Sequence, residues 1–207
     1  MILSAHPENP HDRVITKAVE ILRNGGVIVY PTDTVYGLGC DLHNKNAIER
    51  IYLLKRHEPV KQLSFLCSDL KHISEYAKVS NHAFRFMKHL IPGPYTFVLP
   101  STRLKTIPKS MMSKRKSVGI RVPENKTCHA IIAELGHPIV NTSVTNERGE
   151  VLSDPAAIKE FFGFQIDLIL DAGILPTIPS TIFDLTGDTT VIVRKGAGDF
   201  SLIQQYL

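Results

Sequence analysis

The chain has 207 residues, enough for one sizeable hydrophobic core, and its net charge of +4 is only mildly basic. Its three cysteines are widely spaced and odd in number, which argues against a disulfide framework and against a cysteine-type zinc site. No segment is long and apolar enough to span a bilayer, and residues 1–13 carry no signal-peptide pattern. We therefore expect a cytoplasmic protein with reduced thiols and no membrane partner.

Helical periodicity and β-branched runs alternate along the chain. Helices are predicted over residues 12–24, 46–54, 69–76, 81–90, 127–135 and 154–162, with Asp12 as the N-cap of the first. Strands are predicted over residues 27–30, 63–66, 95–99, 117–123, 139–140, 167–170, 180–184 and 190–193. This alternation favours an α/β or α+β domain built on one mixed sheet.

The stretch from Gly26 to Cys40 is the most informative in the chain. The apolar run 27–30 predicts a buried strand, and Pro31 ends it because proline cannot donate to a sheet ladder. The polar segment Thr32-Asp33-Thr34 follows, and two glycines after it predict a turn or a close approach to a ligand. Ligands of open α/β sheets bind beyond the carboxyl ends of strands, so this strand is predicted to deliver hydroxyls to a site. An ordinary strand followed by a glycine turn is the alternative.

The basic residues are unevenly distributed. No Asp or Glu occurs from Arg85 to Arg121, a span that carries nine Lys or Arg residues. Such clustering is typical of a polyanion partner, either a nucleotide or a nucleic acid. A solvated basic face is the alternative interpretation.

Several predicted strands end at hydroxyl-bearing or cationic residues that could share one cleft. They are Thr32 to Thr34, Arg121, Thr142-Ser143, Ser180-Thr181 and Arg194, with the segment Lys55 to Lys61 beside them. Hydroxyls and arginines suit phosphate and carboxylate oxygens. The chain lacks a Walker A pattern, a G-x-G-x-x-G pattern and a G-x-S-x-G nucleophile elbow, and its histidines lack metal-ligand spacing. A nucleotide site would therefore be of another kind, and no metal ligands are predicted.

Seven ordered segments resemble the YrdC/YciO family, and its YciO-like branch most closely. They are Pro31 to Gly39, Ile51 to Arg56, Pro92 to Thr96, Val118 to Pro123, Thr142-Ser143, Pro179 to Asp184 and Arg194 to Gly196. The resemblance runs from about residue 12 to residue 200. It implies a single YrdC-like domain, with residues 1–11 as an N-terminal extension and no second domain. The implied fold is a twisted mixed β-sheet flanked by helices, with a basic concave cleft.

The resemblance also implies a function. The best-known members are threonylcarbamoyl-AMP synthases, which join L-threonine, bicarbonate and ATP, release pyrophosphate and supply the intermediate for a tRNA modification. Mg²⁺ is expected with ATP because its phosphates usually carry this ion. Family members have also been regarded as binders of double-stranded RNA. The alternative function is therefore a YciO-type paralogue that binds double-stranded RNA or tRNA in the same cleft, with weak or altered synthase activity.

The family's site residues carry over to matching positions of this chain. By resemblance, Thr34, Arg121 and Ser180 contact the threonine substrate, and Lys55 and Arg194 contact the phosphates of ATP. The remaining nucleotide positions implied by the resemblance are His57, Lys61, Ser117, Asn141 and Ser143. Lys55 and Arg121 are the predicted catalytic residues, because two anions must be brought together and neutralised. The RNA-binding residues predicted from the basic span are Lys114, Arg115 and Lys116.

Three positions depart from the synthase pattern. His57 stands where the synthases carry arginine, and a histidine is only partly charged near neutral pH. Thr145 stands where they carry asparagine, with Asn146 one residue late, and Gln62 replaces a proline. These departures concern synthase activity rather than the fold, and we interpret them as features of the YciO-like branch.

Overall fold

A computed structural model describes residues 1–55, 63–102, 111, 116–199 and 201. The ten strands that it describes are β1 (Ile2–Ser4), β2 (Val27–Tyr30), β3 (Gly37–Asp41), β4 (Ser64–Leu66), β5 (Tyr95–Pro100), β6 (Ser117–Arg121), β7 (Ile139–Ser143), β8 (Leu168–Asp171), β9 (Thr181–Asp184) and β10 (Val191–Arg194). The α-helices are α1 (Asp12–Arg23), α2 (Lys45–Leu54), α3 (Leu70–Tyr76), α4 (Asn81–Met87), α5 (Lys126–Leu135) and α6 (Pro155–Phe162), and a 3₁₀ turn covers Gly163–Gln165.

All of these strands belong to one mixed sheet, in the order β1-β8-β2-β3-β7-β4-β6-β5-β9-β10. The pairs β1–β8, β2–β8, β4–β6 and β5–β9 are parallel, and the other neighbours are antiparallel. The prediction of one mixed sheet flanked by helices in a single domain is confirmed. Among the described residues, no helix has the length and apolar character needed to cross a membrane.

The two faces of the sheet are covered differently. One face packs on α2, α3, α4 and α6, and its side chains, such as Phe65, Phe97 and Val140, are fully buried. The other face packs on α1 and α5 only where Ile28, Tyr30, Leu66 and neighbouring side chains lie. We call the remainder of this second face, around Ser64, Gly119 and Asn141, the open face, because these residues stay partly exposed.

Short polar side chains begin most of the helices. The N-cap side chains of α2 to α6, which accept a hydrogen bond from a backbone N–H of the first turn, are Asn44, Asp69, Ser80, Asn125 and Asp154. The prediction that Asp12 caps α1 is wrong. The N-cap is His11, which makes no side-chain capping bond, and Asp12 is the first helical residue, where its charge favours the positive end of the helix dipole.

Of the two interpretations of Gly37 and Gly39, the turn is wrong, because Gly37–Asp41 forms β3, and the close approach to a ligand stays a prediction. A Cβ at Gly37 would lie 2.7 Å from the Tyr30 ring, and a Cβ at Gly39 would lie 2.4 Å from the carbonyl oxygen of Val140. These glycines therefore make room for the Tyr30 ring over the sheet rather than for a turn. Likewise β7 runs to Ser143, so Asn141, Thr142 and Ser143 belong to the strand instead of following it.

Candidate functional site

Arg121 is the most buried cation among the described residues that carry the predicted site. It ends β6 and is only 4% exposed. Its Nη1 donates a hydrogen bond of 2.9 Å to Oγ1 of Thr34, and its Nη2 forms an ion pair with Oδ1 of Asp33. Sγ of Cys128, in the first turn of α5, donates to the carbonyl oxygen of Pro31 at 3.2 Å. The segment after β2 is thus held against both β6 and α5.

Thr34 and Arg121 are in contact although β2, which precedes Thr34, and β6, which ends at Arg121, are not neighbours in the sheet. Strands β3, β7 and β4 separate β2 from β6, and the pairing directions make β2 and β6 run in opposite directions. The carboxyl ends of β2 and β6 therefore lie at opposite edges of the sheet, although Thr34 and Arg121 are in contact. The segment 31–35, which follows β2, therefore spans the three intervening strands and brings Thr34 to Arg121.

A chain of hydroxyl groups orients this segment. Oγ1 of Thr32 donates to the carbonyl oxygen of Val35 at 2.6 Å and accepts from the backbone N–H of Thr34 at 3.1 Å. It also lies 3.2 Å from Oγ1 of Thr34, which accepts from Arg121. The Thr34 hydroxyl is left to donate to Thr32, so all of these hydrogen bonds have a fixed direction.

Two atoms of the Asp33–Arg121 pair remain unpartnered. Oδ2 of Asp33 and Nε of Arg121 are buried and have no hydrogen-bond partner among the described residues. Buried polar atoms are nearly always paired in native proteins, and those that are not call for an explanation such as a bound ligand. This pair is therefore the feature of the site that points most directly to a ligand.

Arg194 lies in the same neighbourhood because of a β-bulge. The register between β10 and β9 shifts after Ile192, and the shift places Arg194 opposite Ile182. Nε and Nη2 of Arg194 donate to the carbonyl oxygen of Ser180, at 3.1 Å and 2.8 Å. The Ser180 hydroxyl lies 2.8 Å from Oγ1 of Thr96, which pairs directly with Arg121 across β5 and β6.

The surroundings of Arg194 disfavour the charged form of its guanidinium. Burial lowers the pKa of its guanidinium from the ordinary value, and the positive charge of Arg121 lowers the pKa further. In the contacts described above, Arg194 faces oxygens of Ser180 and no carboxylate. An anion placed between the two arginines would relieve their repulsion. We call the group formed by Asp33, Thr34, Thr96, Arg121, Ser180 and Arg194 the closed end of the site.

A second group lies at the other edge of the sheet. Lys55 follows α2, and its Nζ donates to the carbonyl oxygen of Ser143 at 3.0 Å and to Oγ1 of Thr145. Ser143 ends β7 at the edge opposite to Arg121, and Ser117, which begins β6, lies at the same edge as Ser143. We call Lys55, Ser143 and Thr145 the open end.

The floor between the two ends is polar. Asn141 accepts from the Tyr30 hydroxyl at 2.8 Å and donates to the Ser64 hydroxyl at 3.2 Å. Gly119 pairs with Ser64, and a Cβ there would lie 3.3 Å from Cβ of Ser64, which is close packing. β6 covers about 13 Å from Ser117 to Arg121 at the usual rise per residue, so the floor suits an elongated ligand.

The structure therefore groups the predicted residues at two ends of one face. Thr34, Arg121, Ser180 and Arg194 meet at the closed end, Lys55 and Ser143 meet at the open end, and Asn141 lies between. Their roles toward threonine and ATP stay predictions. Lys116 is exposed, with a left-handed backbone φ of 55°, and its RNA role also stays a prediction. The predicted residues His57, Lys61, Lys114 and Arg115 lie outside the described residues, as do Arg56 and Gln62.

Three further residues of the site, Thr96, Ser64 and Tyr30, were not predicted from the sequence. Thr96 is the polar residue in the otherwise apolar run Tyr95-Thr96-Phe97-Val98-Leu99, and that interruption was the available signal. Ser64 and Tyr30 carried no such signal, because only the pairing of β4 with β7, and the reach of the Tyr30 ring, bring them to Asn141.

Comparisons with known proteins agree on one family. The Sua5/YciO/YrdC family model, described as "Telomere recombination", matches residues 20–196. YciO of Escherichia coli K12, an uncharacterised protein, is 46% identical over 196 residues, which cover 94% of each chain. Its crystal structure superposes with a TM-score of 0.92 and covers 98% of each chain.

Two more distant relatives have stated functions or ligands. A threonylcarbamoyl-AMP synthase of Coxiella burnetii is 30% identical over 177 residues, covering 84% of this chain and 94% of the synthase. P. abyssi Sua5, solved in complex with L-threonine, superposes with a TM-score of 0.90 at 27% identity, covering 100% of this chain and 61% of that one. With the family model matching most of the chain, this protein belongs to the Sua5/YciO/YrdC family.

Proposed function

We propose that this protein binds L-threonine and ATP on the open face and joins them, with bicarbonate, into threonylcarbamoyl-AMP. The observation that carries the proposal is the buried Arg121, which Thr34 and Asp33 hold in place. It is supported by the similarity to the C. burnetii synthase and to the Sua5 that was solved with L-threonine.

Threonine would bind at the closed end. The guanidinium of Arg121 suits a carboxylate, because its planar set of donors can engage two oxygens. The hydroxyl pair of Thr96 and Ser180 lies one strand pairing away from Arg121 and could hold the threonine side chain. These groups are buried or half-buried, so their hydrogen bonds would discriminate strongly among small molecules.

ATP would lie along the floor between the two ends. Its phosphates would contact Lys55 and Arg194, and Asn141, Ser143 and Ser117 line the space between. Mg²⁺ would enter with the phosphates. Among the residues the structure describes, no group of three or more His, Cys, Asp or Glu side chains could hold a metal ion. The ligands of Mg²⁺ would be phosphate oxygens of ATP and water.

The reaction needs charge neutralisation more than it needs a nucleophile from the protein. The amine of threonine and bicarbonate form a carbamate with loss of water. A carbamate oxygen then attacks the α-phosphorus, its bond to the bridging oxygen breaks, and pyrophosphate leaves. The carbamate and ATP are both anions, so Arg121, Arg194 and Lys55 would bring them together and stabilise the charge on the leaving group.

The test is pyrophosphate release from ATP, measured with and without L-threonine and with and without bicarbonate. We expect release that requires both co-substrates. No release, with ATP still bound, would reject the synthase activity. Binding of double-stranded RNA at rising salt would then test the alternative, since an affinity dominated by phosphate contacts falls steeply with salt.

A further inference from the structure

Asp33 is a buried carboxylate that needs a second partner. Its side chain is 11% exposed and that of Arg121 is 5% exposed. Oδ1 of Asp33 is engaged by Arg121, and Oδ2 is buried with no partner among the described residues. A carboxylate usually accepts more than one hydrogen bond, and leaving a buried acceptor unsatisfied is costly.

The Arg121–Asp33 pair is also nearly neutral as a unit. A ligand carboxylate bound to Arg121 would lie beside the carboxylate of Asp33, and this repulsion is unfavourable even though Arg194 favours an anion nearby. A zwitterion avoids this penalty, because its ammonium offsets its carboxylate. The two unpartnered atoms, Nε of Arg121 and Oδ2 of Asp33, are one donor and one acceptor.

From this juxtaposition we infer that Asp33 determines specificity for a zwitterionic α-amino acid. Oδ2 of Asp33 accepts a hydrogen bond from the ligand's ammonium while Arg121 holds its carboxylate. The inference rests on the proposed function, since it names how the threonine site tells an amino acid from a simple carboxylic acid. If Asp33 were only the counter-ion that keeps Arg121 in place, its removal would weaken the binding of amino acids and of other carboxylates to the same extent.

The test compares two ligands by titration calorimetry, without ATP or bicarbonate. One is L-threonine, and the other is its analogue with a hydroxyl in place of the ammonium. For the unmodified protein we expect the analogue to bind roughly tenfold to a hundredfold more weakly, the usual range for losing one charge-assisted hydrogen bond. Equal binding of the two ligands would overturn the inference, and this arm needs no variant to fold.

The second arm uses Asp33→Asn, which keeps the side-chain shape and an acceptor for Arg121 but removes the charge. We expect threonine to bind more weakly and the analogue at least as tightly as before, because Arg121 is no longer neutralised. Asp188→Asn removes the same charge from an exposed turn and should change neither affinity. An unchanged preference for threonine in Asp33→Asn would overturn the inference.

The outcomes also separate the inference from the proposed function. Threonine binding without preference over the analogue would overturn the inference alone. Absence of threonine binding to the unmodified protein would overturn the proposed function and the inference with it. Loss of preference in Asp33→Asn, with preference intact in Asp188→Asn, would support both.

Discussion

The two ends of the site hold their cations in different ways. At the closed end, Arg121 is 4% exposed and bonds to a carboxylate and a hydroxyl from a segment that crosses the sheet. At the open end, Lys55 is half-buried and bonds to the carbonyl oxygen of Ser143, which ends β7, and to the hydroxyl of Thr145. Arg121 is thus fixed in direction and largely neutralised, whereas the described contacts of Lys55 are with the uncharged oxygens of Ser143 and Thr145.

This difference indicates what each end is suited to do. A neutralised, rigid guanidinium discriminates by geometry, since its donors point in set directions. A lysine ammonium acts as a compact point charge on a flexible stem, which suits phosphates whose position changes during a reaction. The closed end would therefore select a small ligand, and the open end would attract an anion.

The largest effect is expected from Arg121→Ala. It should abolish threonine binding, and it should lower the free energy of unfolding by about 3 to 5 kcal/mol, because Asp33 stays buried without its counter-ion. Calorimetry with L-threonine and chemical unfolding measure the two effects. Combining Arg121→Ala with Asp33→Asn is the matched control, which should recover stability without recovering threonine binding. Threonine binding to Arg121→Ala at the original affinity would show that the carboxylate contact is misassigned.

The second-largest effect is expected from Lys55→Met, a substitution that changes only the open end. Lys55→Met keeps the apolar stem and removes the charge, so we expect ATP to bind roughly tenfold to a hundredfold more weakly. Threonine affinity should be unchanged, because Arg121 and its partners lie at the other edge of the sheet. Titration with each ligand separately measures this. A matching loss of threonine affinity would mean that the two ends are one site.

A smaller effect is expected from restoring the synthase residues at positions 57 and 145. His57→Arg together with Thr145→Asn should raise the rate of pyrophosphate release, because the double variant restores a full charge and an amide. Thr145 accepts from Lys55, and asparagine keeps an acceptor at that position. Initial rates at saturating ATP, threonine and bicarbonate measure the effect, with Thr145→Asn alone as the control. An unchanged rate would mean that these departures do not limit the reaction.

The two ends also differ in how far the sequence could predict them. The run 27–30 and the strand ending at Arg121 were predictable from apolar patterning, and the resemblance pointed to Thr34 and Arg121. The direct contact of Thr34 with Arg121 was not predictable, because strand direction depends on pairing between distant segments. The bulge that directs Arg194 and the pairing of Thr96 with Arg121 are also long-range features of register.

Local patterns misled where side chains pack across strands. Gly37 and Gly39 have the composition of a turn, yet they form a strand because the Tyr30 ring occupies the space of their side chains. Periodicity reports which residues are buried and not what they pack against. Fold class was therefore accessible from the sequence, and the crossing of the segment 31–35 over the sheet was not.

The smallest effect concerns the anchor of that crossing segment. The Tyr36 hydroxyl donates to the carbonyl oxygen of Gly173 at 2.6 Å and accepts from the N–H of Ala172 at 3.0 Å. Tyr36→Phe should lower the free energy of unfolding by about 1 kcal/mol. It should weaken the binding of L-threonine only a fewfold, because Arg121 and α5 still hold residues 31–34.

The contribution of Tyr36 to the free energy of unfolding should also depend on pH. Burial is the main cause that raises the pKa of Tyr36 from 10.0 to about 12. Since the folded state favours the neutral phenol, its contribution is complete below pH 10.0 and is lost as the pH rises toward about 12. Unfolding free energies measured across this range should therefore fall more steeply for the unmodified protein than for Tyr36→Phe. Parallel profiles would mean that the phenol titrates equally in the folded and unfolded states, which would contradict this prediction.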